Sequence, residues 1–348
     1  MFDVSTSKGY DAGKMKFVSK STNRFEFVGR TKDNYGVQGF VEKLNVQPND
    51  AGTISVSQVG AVHAQIRKNK WYSSQNIFVL NPNYKELINL LVVAAIDKIL
   101  VNYGGYSSYP TLQTLKEHTI QLPTKDGKID FEFMDACIRE LEEERIRELS
   151  AYLTVSGLDN YELSSEEKEA LENLKFVQWK EYNLEKLFGK STRGKRLKSD
   201  DRVSGSLPFI TAGEANTGIS DFIGNEVEVF SKNTITIDMF GSAKYRNYNY
   251  GGDDHIAVVH TEKIKPESAI FVTSAIHKSS YNGQFNYGHN FYAKDADALN
   301  IMLPTKDGKI DFEFIELLIS AVQKLVIKDV VLYADEKIQS TKKIVKEN

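Results

Sequence analysis

Four groups of residues in this 348-residue chain have types and spacings that could do chemistry. Asn81-Pro82-Asn83-Tyr84 is close to the Asn-Pro-Pro-Tyr signature that holds a target amine for methyl transfer. It lacks the second proline, no glycine-rich cofactor loop precedes it, and Asn-Pro also opens ordinary turns. Asp253, Asp254 and His255 could face a cation, but nothing else stands at ligand spacing, so a turn before a strand is the simpler reading. Asp126 with Lys128, and Asp307 with Lys309, put a carboxylate near a lysine as a nuclease might need, yet 26% of the chain is charged and such neighbours are expected. For nucleophilic catalysis there are six histidines and no Gly-x-Ser-x-Gly elbow. Cys137 is the only cysteine, which excludes an internal disulfide and a cysteine-based zinc site.

Binding chemistry has better support. Residues 189–198, GKSTRGKRLK, set Lys190, Arg193, Lys195, Arg196 and Lys198 among small residues, a composition suited to phosphates. Residues 241–252, GSAKYRNYNYGG, interleave Lys244 and Arg246 with Tyr245, Tyr248 and Tyr250. The matching place in the first half of the chain reads AQIRKNKWY, with Arg67, Lys68, Lys70, Trp71 and Tyr72. Cations beside aromatics and amides can grip a nucleic-acid backbone and read base edges, through Arg to guanine or Asn to adenine. A solvated loop over packed tyrosines is the bland alternative, and the recurrence of the cluster in both halves weighs against it.

The elements that position these clusters are duplicated. IQLPTKDGKIDFEF at 120–133 returns as IMLPTKDGKIDFEF at 301–314, with thirteen of fourteen positions identical. Around this anchor, FVGRTKDNYGVQGF from Phe27 lies beside FITAGEANTGISDF from Phe209, TISVSQVGA from Thr53 beside TITIDMFGS from Thr234, and Tyr106 falls against Tyr287. A period near 181 residues is too long for a solenoid unit, so the chain is two diverged copies of one domain design. Each copy starts strand-like (TISVSQV, NIFVL; TITIDMF, HIAVV) and continues into a helix near 84–100 or 266–277. The Lys-Asp-Gly-Lys turn then leads to Asp130 or Asp311 as a helix N-cap. The helices that follow carry apolar stripes, and the economical way to bury them is against each other. Ser164 and Glu167 are spaced as a capping box for a short acidic helix.

No apolar run approaches the roughly 20 residues of a bilayer crossing, and no export signal is visible, so a cytoplasmic protein is expected. The formal charge of −3 hides a local −8 between Glu140 and Glu172, which leaves the remainder at +5.

Two similar halves, a Leu-Pro closing each globular part, the DGKIDFEF start of a helix, and WKEYNLEKLF with PFITA opening the second half give the chain a family likeness. It resembles the specificity subunit of type I restriction-modification systems, and equally that of type IIB systems. The resemblance implies an α+β, mixed α/β fold with two tandem target recognition domains joined by two long antiparallel spacer helices in pseudo-two-fold arrangement. The expected divisions are residues 1–130 (first recognition domain), 131–175 (spacer helix and acidic linker), 176–311 (second recognition domain) and 312–348 (second spacer helix). It further implies a non-catalytic subunit that reads a bipartite site in double-stranded DNA and docks two methyltransferase subunits carrying S-adenosylmethionine, and in some systems a restriction subunit. No cofactor or metal is expected in this chain.

The DNA-binding residues expected in the first half are Arg30, Lys32, Asn34, Arg67, Lys68 and Lys70. In the second half they are Arg193, Lys195, Arg196, Thr211, Asn216, Lys244, Tyr245, Arg246 and Tyr250. Lysines and the arginines at 193 and 196 are assigned to phosphates, and Asn34, Asn216, Arg67 and Arg246 to base edges. Two other readings stand beside this one: an adenine-N6 methyltransferase built on the Asn81–Tyr84 segment, and a two-domain adaptor that joins proteins through its helical stem.

Overall fold

Every residue of Thr53–Ser57, Thr-Ile-Ser-Val-Ser, is buried, so both faces of this strand must be covered. The computed structural model of the protein, which describes residues 1–19, 24–104 and 107–347, with backbone alone from 341 onward, shows how. Tyr106 lies outside the described residues.

The strands of the first half are β1 (Phe2–Thr6), β2 (Gly9–Tyr10), β3 (Phe25–Val28), β4 (Val37–Val41), β5 (Thr53–Ser57), β6 (Ala64–Arg67), β7 (Trp71–Ser74) and β8 (Ile77–Pro82). They form two four-stranded sheets, ordered β1-β8-β5-β6 and β2-β7-β3-β4. Helices α1 (Leu90–Leu100) and α2 (Leu112–Glu117), the hairpin β9 (Thr124–Lys125) and β10 (Lys128–Ile129), and helix α3 (Phe131–Val155) follow. Successive side chains of a strand point to opposite faces. Ile54 and Val56 of β5 therefore join Val92 and Ile96 of α1, with Phe78 and Leu80, in one core cluster. Thr53, Ser55 and Ser57 fall on the other face. Asn89 caps α1 by accepting a hydrogen bond from Leu91 N at 2.8 Å.

The second half repeats this plan after helix α4 (Ser165–Asn173). Its elements are β11 (Gln178–Asn183), α5 (Leu184–Phe188), β12 (Thr192–Arg193), β13 (Ser204–Ile210), β14 (Ile219–Ile223), β15 (Thr234–Asp238), β16 (Ala243–Arg246), β17 (Gly251–Gly252) and β18 (Ile256–Val259). Then come α6 (Pro266–Ser280), α7 (Ala293–Ala298), β19 (Asn300–Lys306), β20 (Lys309–Ile310) and α8 (Phe312–Glu347). The sheets are β12-β18-β15-β16, β14-β13-β17 and β11-β19-β20. Ile235, Ile237, Ala243, Val272 and Ile276 occupy the core positions that Ile54, Val56, Ala64, Val92 and Ile96 occupy in the first half. The fold is mixed α/β with a repeated domain.

The duplicated motif is a hairpin running into a capped helix. Asp126-Gly127 and Asp307-Gly308 have φ of 53° and 75°, and 51° and 79°. That is the backbone of a primed two-residue turn, which Asp-Gly favours. Asp130 Oδ1 accepts from Phe133 N at 2.9 Å, and Asp311 Oδ1 from Phe314 N at 3.0 Å.

The chain divides into two compact units, Met1–Glu148 with the residues from Thr341, and Leu149–Ser340. Both divisions fall inside long helices rather than at their first residues. The reason is packing: Met134, in the first turn of α3, is buried in the first core, and Ile315, Leu318 and Ala321 of α8 are buried in the second unit. Within that second unit, buried Glu167 ties α4 to α8. It accepts from Ser320 Oγ at 2.6 Å and Lys324 Nζ at 2.9 Å, while its capping box with Ser164 closes α4. Burial alone would raise the Glu167 carboxyl, but these hydrogen bonds and the Lys324 charge outweigh it and hold the group below its ordinary range.

Candidate nucleic-acid interface

Strand direction sorts the connections of each half onto two ends. In the second half β13 and β15 finish, and β16 and β18 begin, at the same end. That end collects residues 194–198, 211–218, 239–242 and 252–255, and the segment after α6. Ser280 Oγ donates to Gly241 O at 2.6 Å, and Phe240 meets Tyr287 edge to face with ring centroids 5.2 Å apart. In the first half the equivalent end carries residues 29–36, 58–63, 75–76 and the segment after α1. Ala64 N donates to Asp97 Oδ1 at 2.7 Å, as Ala243 N does to His277 Nδ1 at 3.2 Å. The duplicated motif is not at this end. In the second half Glu316 of α8 pairs at 2.7 Å with Lys265, which precedes the opposite terminus of α6.

The most distinctive part of the end is a short turn. Asn34 and Tyr35 both adopt left-handed backbone, with φ/ψ of 46°/42° and 53°/32°, followed by Gly36 at φ 73°. Asn216 and Thr217 repeat it at 47°/36° and 53°/27°, followed by Gly218 at φ 84°. Left-handed backbone costs a non-glycine residue roughly 1–2 kcal/mol. Glycine suits the third position: φ is positive in both turns, and a Cβ would lie 3.2 Å from Thr31 O at Gly36 and 2.9 Å from Thr211 O at Gly218. One backbone bond closes each turn, Gly29 N to Gly36 O at 2.7 Å and Thr211 N to Gly218 O at 2.9 Å. The residues at both apices are exposed, Tyr35 at 78%.

Beneath each turn lies a buried guanidinium. Arg67 is 1% exposed, its Nε donates to Ser55 Oγ at 2.9 Å, another of its nitrogens donates to Gln65 Oε1, and it stands 5.9 Å from the ring of buried Trp71. Arg246 is likewise 1% exposed, donates from Nε to Thr236 Oγ1 at 2.9 Å and from NH1 to the Tyr248 hydroxyl at 3.0 Å, and stands 5.9 Å from the ring of buried Tyr250. The hydroxyls on the second face of β5 and β15 thus seat an arginine against an aromatic ring in both halves. Burial pulls the Arg67 pKa down to about 10, partly offset by the nearby Glu26 charge, so the group is still cationic at neutral pH. Burial also pushes the Tyr250 hydroxyl well above its ordinary value.

With this geometry repeated, the sequence pattern described as the type I restriction modification DNA specificity domain matches residues 3–151 and again 177–331. The chain belongs to that family. The specificity subunit S.BcgI of the type II restriction enzyme BgcI from Heyndrickxia coagulans is 22% identical over 329 residues, covering 91% of this chain and 90% of that protein. The type I restriction-modification S subunit of M. genitalium has the same fold, with a TM-score of 0.53, 16% identity, and coverage of 99% of this chain and 91% of that one. As a family member the chain is a specificity subunit, and what it discriminates is DNA sequence.

The expected DNA-binding residues of this specificity subunit do not all gather at one place. Arg30, Lys32 and Asn34 in the first half, and Lys195, Arg196, Thr211, Asn216 and Lys244 in the second, are on the loop-bearing ends. Lys244 is held there, 3.2 Å from Glu214 and 3.7 Å from Asp238. Lys68 and Lys70 follow β6 at the opposite end, where Lys70 pairs with Asp50 at 3.5 Å. Arg193 is exposed on edge strand β12. The Tyr245 hydroxyl donates to Asn233 Oδ1 at 2.9 Å, away from the loops.

Arg67, Arg246 and Tyr250, expected at base edges or phosphates, are at most 1% exposed and lie inside their domains. A basic-aromatic cluster read along the sequence is, at these positions, the inside of the domain. The period-two alternation of β6 and β16 was the available signal, because it sends Ala64 and Ala243 inward on one face and leaves the arginines three residues on for the other. The shared Asn-x-Gly of the two turns encloses Tyr35 and Thr217, both exposed.

Asn81 and Pro82 are paired with β1 in a sheet ladder, and Tyr84 is 61% exposed. The clefts of about 470 Å³ at residues 195–197 and 226–228, and about 460 Å³ at 125–132, are lined by other residues. Asp253, Asp254 and His255 bring ligand atoms within 4.8 Å of one another. They already engage the protein: Asp253 Oδ1 accepts from Leu197 N at 3.3 Å, and Arg196 stands 3.9 Å from Asp254.

Proposed function

We propose that this chain is the non-catalytic DNA-recognition subunit of a restriction-modification complex, each half reading one part of a bipartite double-stranded site. The observation that carries this reading is the loop-bearing end, built twice on one scaffold with different exposed residues. Two copies of one reading device suit a ligand that offers two separate sequence elements. The helices α3 and α8 serve as the stem on which two methyltransferase subunits dock, with a restriction subunit where the system has one. S-adenosylmethionine and the chemistry of adenine methylation belong to those partners, and the complex works in the cytoplasm. The ladder position of Asn81 and Pro82 speaks against methyl transfer by this chain.

The test is to express the chain with the methyltransferase of its own system and map methylated adenines across the host DNA. A motif of two short elements separated by unspecified bases is expected. A continuous short motif would count against two independently reading halves.

A further inference from the structure

We infer that Tyr35 and Thr217, at the apices of the paired left-handed turns, are specificity-determining residues, each setting base preference in one element of the DNA site. This rests on the proposed reading of the chain as a DNA-recognition subunit, and it deepens that reading by naming where the two halves differ in what they read.

Four observations converge on these two positions. The turns have the same backbone to within a few degrees at Asn34/Asn216 and Tyr35/Thr217, although the flanking residues differ (Lys32-Asp33 against Glu214-Ala215). Strain of this size at two successive non-glycine residues, kept twice, needs a surrounding structure that enforces it. That structure is visible in each half: the closing backbone bond, the glycine at positive φ, and the buried arginine below. A Cβ on Gly218 would stand 3.6 Å from the Arg246 guanidinium, so the support reaches the turn itself. Finally, the apex side chains project outward while their chemistry changes, from a phenol ring to a small hydroxyl with a methyl group.

A turn held rigidly with a variable outward residue loses little conformational freedom on binding, so its contacts are available for discrimination. Tyr35 offers a hydroxyl and a ring face. Thr217 offers a hydroxyl and a methyl suited to either hydrogen bonding or the thymine methyl group. Asn34 is engaged in forming its turn, its Nδ2 donating to Val37 O at 2.9 Å. Arg67 and Arg246 act through the turn and are positioning residues.

The experiment uses the full chain, as wild type, Tyr35→Thr, Tyr35→Asn and Thr217→Tyr, each co-expressed with its own methyltransferase subunit, with methylated adenines mapped across host DNA. Either Tyr35 variant is expected to relax or change one element of the motif by about tenfold or more in discrimination at one base, leaving the other element intact. Thr217→Tyr is expected to do the same to the other element only. Asparagine tolerates left-handed backbone, so Tyr35→Asn separates loss of the side chain from loss of the turn. If a variant complex stops methylating, its binding to the wild-type duplex is compared with binding to duplexes altered in one element. Insensitivity to one element supports the inference, and equal weakening at both overturns it. Unchanged motifs in all variants, with a bipartite wild-type motif, would sink the inference while leaving the proposed function standing. A wild-type chain that yields no bipartite motif would remove the proposed function, and the inference with it.

Discussion

Arg67 and Arg246 show how a residue type can suggest one role and perform another. Each is a cation inside a domain, satisfied by hydroxyls and a ring, and each stands under an exposed turn. Truncating Arg246 to alanine removes the donors to Thr236 Oγ1 and the Tyr248 hydroxyl and opens a cavity. The expected cost is about 2–4 kcal/mol in urea unfolding. Arg67→Met, which keeps most of the volume and removes the buried charge, should cost clearly less than Arg67→Ala. The pH sign agrees. The folded state holds the Arg67 proton more weakly than the unfolded chain, so its unfavourable contribution is present at neutral pH and shrinks as pH rises above about 10. None of this was legible from AQIRKNKWY alone. The partner hydroxyls, Ser55 and Thr236, are 12 and 10 residues away and become neighbours only when β5 pairs with β6 and β15 with β16.

At the scale of elements, the strands, the two long helices and their caps were readable, because each depends on local spacing. Period-two runs gave β5 and β15, Asp130 and Asp311 gave the helix starts, and Ser164 with Glu167 gave the capping box. The left-handed turns were not, since Asn-x-Gly is compatible with several turn types and the buried support comes from distant strands. Neither was the second role of Glu167, whose partners Ser320 and Lys324 lie more than 150 residues away. Because its carboxyl is held below the ordinary value of 4.5, the stability it contributes is present above that pH and is lost as pH falls below it. Hydrogen-exchange protection factors in α4 should therefore fall on acidification below about 4.5. Glu167→Gln should remove most of that dependence, and Glu167→Ala should cost about 1–3 kcal/mol.

For the whole molecule, the sequence repeat carried the most information, because a period near 181 residues specifies two domains without any knowledge of their fold. No helix among the described residues is long and apolar enough to cross a membrane. The net charge of −3 conceals basic residues on the loop-bearing ends, among them Lys32, Lys195 and Arg196. If the assembled complex engages several phosphates, its affinity for a cognate duplex should fall steeply between about 50 and 200 mM salt. A flat response in a gel-shift titration would contradict that. The apex substitutions should leave this salt slope unchanged, since they alter reading and not phosphate contact.

Each turn is closed by a bond between its first and last residues, so its interior can change while its frame stays. On the inference above, copying the interior of the first turn into the second would give both elements the same preference at one base. A change of a few codons within one gene would thereby place a different set of chromosomal addresses under protection and leave the former set unmarked.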